Sequence, residues 1–139
     1  LDEKLPAGLR VIPDIDVDLE LAPRGKPGFV RRPDLIVVPD IAVKRVRRDG
    51  GILRACDVLV IIEIVSPGSH RIDHVVKRGE YADAGIPYYW IVDIDTLMTL
   101  INCHLTAEFG YQDPGPSTGR FRTTNPFPVT LLLDGLFPG

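Results

Sequence analysis

Cysteine is scarce in this sequence: two in 139 residues, Cys56 and Cys103. They form no Cys-x-x-Cys pair and cannot build a disulfide framework. Both stand beside apolar segments and read as buried thiols, which suits a reducing cytoplasm. No apolar run approaches the ~20 residues needed to span a bilayer, so no membrane partner is expected. The Gly-x-Gly-x-x-Gly fingerprint, the phosphate-binding loop ending in Gly-Lys and the Gly-x-Ser-x-Gly elbow are all missing. Ser66 and Ser69 therefore read as turn and cap residues rather than nucleophiles. The opening Leu-Asp-Glu-Lys has neither Met nor a signal-peptide pattern, which leads us to expect a fragment or a processed chain.

The composition, 45% apolar and 25% charged, is that of an ordinary globular protein with one real core. Only the Pro/Gly/Ser/Thr-rich stretch from Asp113 to Pro128 reads as disordered. Charge is uneven. Nine basic and four acidic residues lie between Glu20 and Arg54, a local +5 on a chain of net −3. Such a basic sector permits a polyanionic partner without demanding one, and charge alone fits a solvated hairpin better.

Residues 9–21 alternate apolar and acidic, as a half-buried strand interrupted at Pro13. Arg24 to Gly28 reads as a loop, Asp34 to Val38 as a short buried strand ended by Pro39, and Ile41 to Val46 as another alternating strand. Asp49-Gly50-Gly51 marks a turn. Asp57 to Val65 is the most apolar segment and suits a central strand. Ser66-Pro67-Gly68-Ser69 breaks it. Ser69 can cap a helix over about 70–84, and Gly85 can close it. Tyr88 to Asp93 is a further apolar strand, so strand–helix–strand here predicts two parallel neighbours. Strands are also expected over 96–105, 108–112 and 129–133. The sum is a strand-rich mixed α/β sheet with one main helix.

Two acids stand out against this pattern. Glu63 interrupts the apolar run from Val58 to Val65, with Ile61 and Val65 on its own face. Asp34 opens the run Leu35 to Val38. A buried carboxylate needs a partner or costs several kcal/mol, and two of them suggest a shared one, for which a hard divalent cation is usual. The alternatives are a salt bridge to an arginine or a protruding position at a sheet edge for Glu63, and a local turn bond for Asp34.

The predicted helix aligns Asp73, Lys77 and Tyr81 at i, i+4, i+8. That face lies away from the Ile72, Val75, Val76 stripe, so periodicity alone leaves Lys77 near solvent. His70 and His74 share the i, i+4 spacing of zinc ligands, but no third ligand is apparent and Arg71 replaces the glutamate of the zinc-protease motif. They read as partly exposed imidazoles; His104 is isolated. Tyr88-Tyr89-Trp90 could stack on bases but reads better as core packing.

Taken together, Arg32-Pro33-Asp34-Leu35, Ile62-Glu63-Ile64-Val65-Ser66-Pro67 and the series Asp73, Lys77, Tyr81, Gly85-Ile86, Tyr89-Trp90-Ile91-Val92-Asp93 resemble the Uma family of bacterial proteins. That family belongs to the restriction-endonuclease-like PD-(D/E)XK nuclease superfamily. The resemblance runs from about Leu9 to Phe137 and is most specific from Asp73 to Asp93.

It implies a restriction-endonuclease-like fold, a mixed β-sheet flanked by helices, within a single nuclease-like domain over 1–139. It also implies Mg²⁺ (or Mn²⁺) held by Asp34, Glu63 and the backbone carbonyl of Ile64, for hydrolysis of DNA phosphodiester bonds in the cytoplasm. Val65 stands where the superfamily lysine normally lies, and Lys77 is the implied substitute, with Asp73 and Tyr81 supporting it. Arg31, Arg32, Lys44, Arg45, Arg47 and Arg48 would meet phosphates. Family members usually begin with a further segment holding a helix and an acid, so such a segment is expected to be missing here. The competing expectation is a catalytically inactive nuclease-fold module for binding or assembly, able to form a homodimer through exposed strands.

Overall fold

A computed structural model describes residues 4–21, 29–65, 71–94 and 98–133, with backbone only for 71–75. Arg24, Lys26, the Ser66–Ser69 break and His70 lie outside the described residues. Twelve strands and two helices appear in this order among those that are described: β1 Leu9–Pro13, β2 Val17–Asp18, β3 Val30–Arg31, β4 Leu35–Pro39, α1 Asp40–Asp49, β5 Leu53–Arg54, β6 Val60–Val65, α2 Arg71–Asp83, β7 Tyr88–Asp93, β8 Thr99–Thr106, β9 Gly110–Gln112, β10 Ser117–Thr118, β11 Arg120–Thr123 and β12 Val129–Leu132. A 3₁₀ turn, Ala55–Asp57, separates β5 from β6.

Seven of these strands form one mixed sheet in the order β1-β4-β6-β7-β8-β10, with β9 also on β8. The predicted strand–helix–strand unit is present. β6 and β7 pair in parallel over six residues, from Val60↔Tyr88 to Val65↔Asp93, and α2 connects them. Their other neighbours, β4 and β8, run antiparallel.

The sheet is covered on both sides. One face carries Ile36, Val38, Ile61, Tyr89 and Cys103 against α1, Tyr81 and the small sheet β3-β2-β5. The other carries Val37, Val60, Ile62, Trp90, Val92 and Leu100 against Phe121, Phe127 and the β11–β12 hairpin. Burial on both faces explains why β6 is almost uniformly apolar. Tyr89 and Trp90 pack in the core, as expected.

Three expectations fail. Residues 40–49 form α1, not a strand. Ile41 and Val43 do not share a face: Ile41 is 76% exposed while Ala42 and Val43 are buried, and Val46 packs beside them. That is a helical stripe. Asp40 in the first turn and Arg47 and Arg48 in the last suit the helix dipole. Lys44 pairs with Asp40 one turn away, and Gly50, at φ +80°, donates its N–H to the Val46 carbonyl.

The Asp113–Pro128 stretch is folded, because Phe121 and Phe127 are buried against Trp90 at ring distances of 5.2 and 6.0 Å. Cys56 is exposed, since it falls on the 3₁₀ turn rather than in a strand, whereas Cys103 is buried on β8. Burial pushes the Cys103 thiol up to about 11.

The end of α2 follows its sequence signal closely. Gly85, at φ +79°, donates to the Ala82 carbonyl, and Ile86 donates to Tyr81. This reciprocal pair is a Schellman motif, which needs the left-handed conformation that glycine adopts without penalty. It turns the chain directly into β7. Among the described residues no helix is long and apolar enough to cross a membrane.

Candidate active site

The β4–β6 register sets the site. Leu35 lies opposite Ile62, and Ile36 opposite Ile61. One step further along the same register puts Asp34 opposite Glu63. Directly opposed residues of an antiparallel pair point to the same face, and here that is the helix-covered face of Ile36 and Ile61.

The two acids close a ring of hydrogen bonds. The Asp34 N–H donates to Glu63 Oε1 at 2.9 Å, and the Ile64 N–H donates to Asp34 Oδ2 at 2.8 Å. β4 has stopped pairing with β6 at this point, so the Asp34 carboxylate takes over a donor that the strand no longer serves. The Asp34 carbonyl accepts from the Asp14 N–H at 3.1 Å, which ties the residue to the end of β1 as well.

Glu63 is the sole buried charged residue among those described, at 3% exposure. Its second oxygen, Oε2, accepts from the Lys77 ammonium at 2.8 Å. Lys77 reaches it from α2, its side chain only 27% exposed. Periodicity alone leaves Lys77 near solvent; in the structure it is half-buried and turned onto Glu63. Val76, assigned by periodicity to the buried stripe, is 49% exposed, while Tyr81 on the Lys77 face is 1% exposed. The helix packs through its Lys77–Tyr81 side because the buried carboxylate on β6 supplies a partner there that hydropathy does not count. The side chains of Ile72, Asp73, His74 and Val75 lie outside the described residues.

Tyr81 packs edge-on to Tyr89 at 5.3 Å between ring centres. Burial, and then the negative charge of Glu63, push both phenols far above their ordinary range. They remain protonated at any physiological pH and can serve as neutral walls and donors, not bases.

One turn further along α2, Glu80 accepts a two-pronged bond from Arg31 on β3, with both N···O distances 2.7 Å. The Arg31 guanidinium also lies 5.2 Å from the centre of the Phe29 ring. Sequence patterning misses Glu80. It looks like an ordinary solvent-facing helix glutamate, and only the packing of β3 against α2 reveals its partner.

The other basic candidates lie apart. Arg32 is exposed beside Asp16 at 2.9 Å. Lys44, Arg45, Arg47 and Arg48 ride on α1, which leaves the far end of β4, about 20 Å along the strand from Asp34. Arg45 forks onto Asp57 at 2.9 and 2.6 Å, and Arg48 onto its neighbour Asp49. Arg47 has no ion pair among the described residues and helps line a cleft of about 250 Å³ between α1 and β1. Much of the local basic excess is thus balanced by neighbouring acids. Exposed pairs of this kind contribute little to stability and can be exchanged for phosphates.

The donor set suits a hard cation. Mg²⁺ is commonly held by one or two carboxylates and keeps several waters. Each Glu63 oxygen accepts one hydrogen bond and Asp34 Oδ1 accepts none among the described residues, which leaves lone pairs for a metal. No group of three or more His, Cys, Asp or Glu side chains suited to a metal occurs among the described residues, and an Mg²⁺ site of this composition does not require one.

A mixed seven-stranded sheet flanked by helices, with two acids opposed beside its parallel pair, has the restriction-endonuclease-like architecture. The model of the Uma2 family, described as "Putative restriction endonuclease", matches residues 4–125, and the chain belongs to that family. No curated protein matches the chain.

Proposed function

We propose that this protein is a Mg²⁺-dependent endonuclease that hydrolyses phosphodiester bonds of DNA. The observation that carries this reading is the juxtaposition of Asp34 and Glu63, joined by the Asp34 N–H to Glu63 bond and the Ile64 N–H to Asp34 bond, with the Lys77 ammonium 2.8 Å from Glu63. Like charges placed opposite each other destabilise a sheet unless something positive joins them. Asp34, Glu63 and the Ile64 carbonyl would hold the metal, with Mn²⁺ able to replace Mg²⁺. When bound, the ion supplies positive charge to the phosphate and lowers the pKa of a coordinated water.

The chain's own groups do the rest. The Ile64 N–H fixes the Asp34 carboxylate, and the Asp34 N–H fixes Glu63. Lys77 holds Glu63 in one rotamer and presents an ammonium at the mouth of the site, where it can orient a water or meet a phosphate oxygen. Tyr81 closes the inner wall. Arg32 and the basic side of α1, with Lys44, Arg45, Arg47 and Arg48, offer phosphate contacts further along a duplex, and that contribution weakens steeply with salt.

A second reading is favoured by one feature of the same site. Lys77 already neutralises Glu63, as it would in a nuclease fold that has become an inert binding or assembly module. Plasmid cleavage with Mg²⁺ or Mn²⁺, together with metal calorimetry, separates the two. The nuclease reading expects nicking or linearisation by wild type and at least a hundredfold loss in Asp34→Ala and Lys77→Ala. Equal cleavage by all three would remove these residue assignments. An absence of both cleavage and metal binding in wild type would establish the inert module.

A further inference from the structure

The Arg31–Glu80 pair has an unusual placement. Arg31 lies three residues before Asp34, and Glu80 lies three residues after Lys77. The pair therefore joins the two segments that deliver the site's groups, one turn of α2 away from the Lys77–Glu63 bond. The link to Asp34 is short and stiff: Pro33, which is buried, fixes its own φ and keeps Arg32 extended. β3 belongs to the small sheet and, among the described residues, makes no ladder with the large one. The two planar bonds of 2.7 Å, onto a Glu80 side chain only 14% exposed, are thus a direct tie between that strand and α2. A forked guanidinium–carboxylate pair fixes direction as well as distance.

We propose that the Arg31–Glu80 pair is the strut that sets Lys77 against Glu63, making Arg31 a positioning residue of the site rather than a phosphate contact. This rests on the reading of Asp34, Glu63 and Lys77 as the working centre, but its test does not depend on catalysis. Arg78, also on α2, donates to the Tyr111 carbonyl and to Asp113. Asp113→Asn therefore removes an ion pair of α2 that does not lead to Asp34, and serves as the control.

Two readouts apply to the full chain: the Lys77 ammonium resonance by lysine-selective NMR, assigned by its loss in Lys77→Arg, and Mn²⁺ affinity by calorimetry. In wild type the Glu63 contact slows exchange of the Lys77 ammonium protons. Arg31→Gln and Glu80→Gln should each accelerate that exchange at least tenfold and weaken Mn²⁺ binding by a similar factor. Asp113→Asn should leave both unchanged. The charge exchange Arg31→Glu with Glu80→Arg should recover most of the loss. Unfolding midpoints check that each variant is folded.

A Lys77 resonance unaltered in folded Arg31→Gln and Glu80→Gln overturns the proposal, as does equal disturbance by Asp113→Asn. If wild type binds no Mn²⁺, the metal-site reading fails, while the NMR comparison still decides the strut.

Discussion

Glu63 is a carboxylate almost withdrawn from water, and its two hydrogen bonds determine what the position tolerates. Removing one member of such a pair costs more than removing both, because a buried charge is left without a partner. Lys77→Met should therefore destabilise the protein by about 2 kcal/mol, less than a fully buried pair because Lys77 retains some solvent contact. Glu63→Gln should cost about 1 kcal/mol, since an amide oxygen can still accept from the Asp34 N–H. The double variant should regain at least half of the Lys77→Met loss. Urea unfolding checks this; a Lys77→Met change below about 0.5 kcal/mol would place the ammonium with ordinary surface charges. The two acids are legible in the sequence because a charge in an apolar strand is conspicuous without structural help. Glu80 and the true orientation of Lys77 are not, because hydropathy weighs how much a side chain dislikes water and not whether a counter-charge awaits it.

The elements divide along a similar line. α2 and its flanking strands β6 and β7 are readable, since each is long enough to show its period and the helix ends on a glycine. α1 is not. Ile41 and Val43 are β-branched and alternate, whereas the stripe that decides the packing, Ala42, Val43 and Val46, is short and partly made of alanine. β3, β5 and β10 contain two residues each, too few for any periodicity to register, while the alternation read over 9–21 as one strand is divided between β1 and the two-residue β2. The termination of α2 invites a direct test. Gly85 has open space where a Cβ would stand, so Gly85→Ala meets no steric obstacle and isolates the strain of the left-handed backbone. The expected loss is about 1 kcal/mol with an unchanged denaturant slope. Stabilisation by that substitution would contradict the cap geometry.

At the scale of the whole molecule, one sheet separates two apolar layers, and neighbouring residues of β6 report on them separately: Ile61 faces the helices and Ile62 faces the β11–β12 hairpin. Ile61→Ala and Ile62→Ala should each cost about 2–5 kcal/mol. Because both layers use the same strands, each variant should still unfold in one step, with circular dichroism and the fluorescence of Trp90, the single tryptophan, changing together. Separate transitions would mean that the two layers melt independently. The same alternation bears on how such a chain tolerates change in length. Asp34 meets Glu63 because both occupy matching parity in facing strands. A point substitution nearby leaves that parity intact, but one codon lost within β4 would turn the acid toward the hairpin side and leave every other residue of the motif in place. Natural variants of this protein should accordingly vary in loop length far more freely than in the spacing from Asp34 to Pro39.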